Sequence, residues 1–110
     1  MSNGGSNEPT ISQLFDLSGR VALITGGTGW LVQSMCRALA EAGAYVFAGA
    51  RRNRPELQAL EAAGSATFIA ADLSTAEGPE ALVAAAAERG GIDILVNNVG
   101  AVAPRFGGIL

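Results

Sequence analysis

A chain of 110 residues, 49% hydrophobic and only 15% charged, suffices for one small globular domain and is too apolar for a disordered segment. Its formal net charge of −3 offers no electrostatic footprint for nucleic acid or an anionic membrane, and no apolar run approaches the roughly 20 residues of a membrane span. The single cysteine, Cys36, excludes an internal disulfide framework and fits a reducing compartment, so the expected location is cytoplasmic.

The first 13 residues are small, polar and Gly-rich and read as a flexible lead-in, with one folded unit over 14–110. Val21-Ala22-Leu23-Ile24 is a short apolar run ending in a glycine cluster, which suits a strand buried on both faces. Leu31, Met35, Ala38, Leu39 and Ala42 then fall at helical spacing, and Gly43 stops the helix; Cys36 reads as a small, partly buried residue on it. Tyr45-Val46-Phe47-Ala48 is a second strand. Pro55 suits the first turn of a second helix, with Leu57, Leu60 and Ala63 inward and Gly64 after it.

Thr67-Phe68-Ile69-Ala70 makes a third strand. Ser74 or Thr75 can cap a third helix that runs to about Arg89, with Leu82, Val83, Ala86 and Ala87 inward and Gly90-Gly91 ending it. Ile92 to Val96 is a fourth strand, with Asp93 at its wetter start. Strand and helix alternate strictly, and every crossover is long enough for a helix. The fold class is therefore α/β, a doubly wound parallel sheet with right-handed crossovers. The expected strand order is 3-2-1-4, with the first two helices on one face and the third on the other.

Thr25-Gly26-Gly27-Thr28-Gly29-Trp30-Leu31-Val32 follows the first strand directly. A Gly-rich turn between a buried strand and a helix can cradle a pyrophosphate. Glycine allows the backbone to approach closely, while free N–H groups and the helix N-terminus supply positive potential. At the end of the second strand stands Gly49-Ala50-Arg51-Arg52-Asn53-Arg54, three arginines and no acid. A carboxylate there would grip a ribose 2′-hydroxyl, whereas guanidinium groups suit a 2′-phosphate.

The glycine turn, Asp72-Leu73 after the third strand, and Asn97-Asn98-Val99-Gly100 after the fourth together resemble the short-chain dehydrogenase/reductase family. The resemblance runs from about Phe15 to the last residue and implies the N-terminal, NAD(P)-binding Rossmann-like half of such an oxidoreductase. It implies that Gly26, Thr28, Gly29, Trp30 and Leu31 line the pyrophosphate. Asp72 would accept a hydrogen bond from the adenine amino group, with Leu73 beside the ring. Asn98 and Gly100 would border the adenosine ribose and the approach to the nicotinamide, and Asn97 would tie the central strands together. For the nicotinamide dinucleotide that the family resemblance implies, the three arginines favour NADP(H) over NAD(H), with Arg51 as the first candidate contact. Where the family's turn usually ends on a third glycine, this chain has Val32. Its side chain has to be housed, either by a shifted helix or at the expense of the phosphate.

The family's hydride transfer uses a serine and a Tyr-x-x-x-Lys pair. This sequence has no histidine and no lysine, all seven basic residues are arginines, and its one tyrosine, Tyr45, lies within a strand. No catalytic residue is therefore assigned, and the chain alone is expected to be inactive. The expected reading is the front part of a longer oxidoreductase; the alternative is a non-catalytic dinucleotide-binding module, or a subunit completed by another chain. An uncovered Ile94-Leu95-Val96 edge would invite self-association. No metal-ligand spacing is present.

Overall fold

The computed structural model describes residues 8–26 and 30–98. The elements in chain order are α1 (Ile11–Leu14), β1 (Val21–Thr25), α2 (Trp30–Glu41), β2 (Tyr45–Ala50), α3 (Pro55–Ala62), β3 (Ala66–Ala70), α4 (Glu77–Ala87) and β4 (Ile94–Asn97). The four strands form one sheet in the order β3-β2-β1-β4, and every pairing is parallel. This is the order that right-handed crossovers predict.

Each face of the sheet buries one cluster. On one side Val32 and Cys36 of α2 and Leu57 of α3 pack on Ala22, Ile24, Val46, Ala48 and Ala66. On the other, Leu82 and Ala86 of α4 pack on Val21, Leu23, Phe47 and Ala71. Two helices on one face and one on the other agree with the expected layering. The first strands are buried on both faces, which is why they read as continuous apolar runs rather than alternating ones.

The structure departs from the sequence reading in the phase of the helices. On α2 the buried positions are Val32 and Cys36, whereas Leu31 and Ala38 are exposed. A shift of one residue turns a helix by about 100°, and both stripes of this helix are apolar enough to satisfy the pattern. On α4, Leu82 and Ala86 face inward but Val83 and Ala87 are exposed, because an almost wholly apolar segment carries no phase of its own. Ala63 also lies exposed, at the C-cap of α3. Cys36 is more deeply buried than its expected half-buried setting, at 1% exposure.

Order also begins earlier than the Gly-rich composition suggests. A capping box closes the single turn of α1: the Gln13 N–H donates to Thr10 Oγ1 at 3.2 Å, and the Thr10 N–H donates to Gln13 Oε1 at 2.7 Å. Asp93 sits just ahead of β4, where it accepts a 2.8 Å hydrogen bond from the Val21 N–H and faces Arg20 at 3.9 Å. Those contacts fix the start of the β1–β4 register. Among the described residues, no helix is long and apolar enough to cross a membrane.

Candidate functional site

Parallel pairing brings the C-terminal ends of all four strands to one edge. Thr25 lies opposite Gly49 and Asn97, and Ala50 lies opposite Ala70. From β1 the chain proceeds outward through β2 and β3 and then returns to place β4 on the other side of β1. That reversal opens a crevice above β1 and β4, where ligands of open α/β sheets bind.

At this edge Gly26 continues the β1–β2 ladder, its N–H donating to the Gly49 carbonyl at 3.2 Å. Its φ of +82° belongs to the left-handed region, so the turn into α2 needs glycine at this position. Trp30 and Leu31 open α2, where the first-turn N–H groups have no intrahelical acceptor. The Trp30 ring, 82% exposed, lines a groove between α2 and α3 together with Ser34, Arg37, Arg54 and Leu60. Thr28 and Gly29 of the turn lie outside the described residues, as does Gly100 beyond β4.

Val32 is 4% exposed and belongs to the core beneath the sheet. Its side chain is housed by the protein interior, on the side of α2 that faces β1 and β2. The helix, turned one residue from the expected phase, accommodates it.

Across the crevice the Thr25 hydroxyl donates to Asn97 Oδ1 at 2.8 Å, and the Asn98 N–H donates to the Thr25 carbonyl at 3.0 Å. Asn97 thus ties the central strands together, as the resemblance implies, and leaves Asn98 exposed at the switch point. Arg51 follows the last residue of β2 and is exposed, as are Arg52 and Arg54. The Ala71 N–H donates to the Ala50 carbonyl at 2.9 Å, which carries β2–β3 pairing to the edge and sets Arg51 near Asp72. Leu73, half-buried, packs with the α4 cluster.

The Asp72 carboxylate is exposed but held. The Ser74 side chain, then the Ser74 backbone N–H, hold its pKa below the ordinary carboxylate value, and the nearby Arg51 charge adds to the effect. The sequence reading took Ser74 or Thr75 as a helix cap. Thr75 does reach the helix, with its Oγ1 accepting from the Gly78 N–H at 3.3 Å, whereas Ser74 serves Asp72. The signal that marks this second role is the Asp-x-Ser spacing, in which an Asp side chain bonds the backbone two residues on.

Tyr45, the one phenol, sits at the other end of β2. Its hydroxyl is bonded to Thr67 Oγ1, and the Arg89 guanidinium lies 3.3 Å from its ring centroid. Five residues of strand separate it from the edge, roughly 16 Å. It has no reach to chemistry there. Among the described residues no group of acidic, His or Cys side chains could hold a metal.

Comparison with known proteins agrees with this architecture. Residues 20–107 match the short chain dehydrogenase family, and the chain belongs to that family of oxidoreductases, which use NAD(P). It is 42% identical over 106 residues to the short chain dehydrogenase pigC of Monascus ruber, a match covering 86% of this chain and 35% of pigC. Among solved structures it resembles the RhlG/NADP active-site complex of Pseudomonas aeruginosa, at TM-score 0.68 and 41% identity, over 84% of this chain and 39% of that one. It also resembles an NADH-dependent reductase complexed with NAD, at TM-score 0.67 and 35% identity, over 81% of this chain and 39% of that one. The chain spans about a third of the length of the curated relatives it matches.

Proposed function

We propose that this chain is the cofactor-binding front part of a short-chain dehydrogenase/reductase whose cofactor is NADP(H) in preference to NAD(H). The observation that carries the reading is the convergence of four chemically suited groups on one sheet edge: the Gly26 turn with the α2 N-terminus, Arg51, Asp72 and Asn98. The pyrophosphate lies against the turn and the first N–H groups of α2, with Gly26, Thr28, Gly29, Trp30 and Leu31 around it. Adenine lies at Asp72 and Leu73, the 2′-phosphate at Arg51, and the adenosine ribose and the approach to the nicotinamide beside Asn98 and Gly100.

Bound there, the nicotinamide would exchange a hydride with a carbonyl or alcohol substrate in the full-length enzyme. The 110 residues alone do not turn over, because they contain no lysine and hold their one tyrosine at the far end of the sheet. The buried, free Cys36 thiol supports a reducing, cytoplasmic setting. The dinucleotide is the partner of the site, nucleic acid and membrane are not partners, and the exposed β4 side offers self-association.

Calorimetry with both cofactors tests the assignment. Charge-assisted hydrogen bonds to a phosphate are worth about 1.5–3 kcal/mol, so Arg51→Ala should weaken NADP(H) more than tenfold and leave NAD(H) nearly unchanged. Equal affinity for the two, unaltered by Arg51→Ala, would return the arginines to a solvated loop.

A further inference from the structure

An exposed aspartate at a strand end ordinarily turns freely and offers either oxygen. Asp72 does not. The Ser74 Oγ–H and the Ser74 N–H both donate to Oδ1, at 2.6 and 3.0 Å, so that oxygen's acceptor capacity is taken. Among the described residues, Oδ2 accepts no hydrogen bond.

The backbone beneath is held as firmly. The Thr75 N–H and the Thr75 hydroxyl both donate to the Asp72 carbonyl, at 3.1 and 2.8 Å. The helix lies so close that a Cβ on Gly78 would stand 2.1 Å from that carbonyl oxygen. Asp72 is therefore fastened to the turn that leads into α4, at its main chain by Thr75 and at its carboxylate by Ser74.

We propose that Ser74 is a positioning residue that turns Asp72 into a one-point acceptor, Oδ2, selective for the 6-amino group of adenine over a 6-keto purine. This rests on the reading of Asp72 as the adenine contact. A single fixed anionic oxygen matches one exocyclic N–H donor. Opposite a 6-keto group it faces another oxygen, and a carboxylate held at Oδ1 cannot rotate to follow the ring N1–H instead. The Ser74 donors, and to a smaller extent Arg51 on the neighbouring strand end, keep the carboxylate ionised, so it accepts and never donates. No acid faces this carboxylate from β2, whose end carries Ala50, Arg51 and Arg52.

The test measures two dinucleotides, one with adenine and one with hypoxanthine, binding to the full 110-residue chain by calorimetry. The unaltered chain should prefer adenine by about tenfold, the discrimination expected of one hydrogen bond to a charged acceptor. Ser74→Ala should cut that preference to about threefold or less, since the backbone N–H alone is left at Oδ1, and Ser74→Thr should restore it. Asp72→Asn should abolish it. NMR titration of Asp72 gives a readout without ligand, in which Ser74→Ala raises its pKa toward the ordinary carboxylate value while the amide spectrum elsewhere stays folded. A preference lost in Asp72→Asn but kept in Ser74→Ala overturns the role of Ser74 and leaves Asp72 as the adenine contact. Binding of both bases with equal affinity by the unaltered chain overturns the Asp72 reading and this inference with it. Absence of binding to either overturns the cofactor reading and all that rests on it.

Discussion

Val32 occupies the position where the family's turn ordinarily has glycine, and restoring that glycine should destabilise the domain rather than improve the site. The Val32 side chain is 4% exposed, so its removal forfeits essentially all of its burial. Three carbons at about 0.8 kcal/mol each give roughly 2.4 kcal/mol. The unfilled space beneath α2 adds to this, and glycine in a helix costs a few tenths of a kcal/mol more than valine. The expected loss for Val32→Gly is about 3 kcal/mol, a large share of the roughly 5–15 kcal/mol that stabilises a domain. At this size it corresponds to a fall in Tm of roughly 10–20 °C. Urea and thermal unfolding followed by circular dichroism measure it. Val32→Ala isolates the side-chain loss and should give about half to two-thirds of the effect, since alanine is the better helix former. Val32→Gly with unchanged stability and tighter binding of both nicotinamide dinucleotides would refute the argument, because the side chain would then have obstructed the phosphate and not filled the core.

Burial pushes the Cys36 thiol from 9.0 up to about 11, so between those pH values the unfolded chain has released a proton that the folded chain keeps. Stability should be intact below pH 9 and fall as pH rises toward 11, by about 3 kcal/mol in all; Cys36→Ala should remove that slope in urea titrations at stepped pH, and a slope that persists in the variant would assign it elsewhere. On the α4 side of β4, Leu95 is 60% exposed and lines an apolar groove with Val83, Pro79 and Ile92. Sedimentation should show concentration-dependent self-association of the chain, and Leu95→Arg should shift it toward monomer; a chain monomeric at every concentration would free this edge of that role.

Much of the architecture is legible in the order of residues alone. Short apolar runs alternating with helical spacing identify strands buried on both faces, and parallel pairing with right-handed crossovers then leaves the order β3-β2-β1-β4. The edge that gathers the site follows from the same rule, because every loop after a parallel strand emerges on one side. Asp72 and the glycine turn are local motifs and stand out as such. Asp-x-Ser is just as local, but its hydroxyl can serve a helix end or a carboxylate, and only the folded turn directs Thr75 to the first task and Ser74 to the second.

What the sequence by itself determined is thus what depends on near neighbours along the chain: element type, element order, and the residues that mark each turn. The rotation of α2 about its axis was decided by tertiary structure. It selects Val32 and Cys36 over Leu31 and Ala38 for the core, and with that choice the valine side chain is buried against β1 and β2. The apolar period along α2 tolerates either stripe. The surface that chooses between them is built from Ala22, Ile24, Val46 and Ala48, on two strands that a single helix reads only after the sheet has formed.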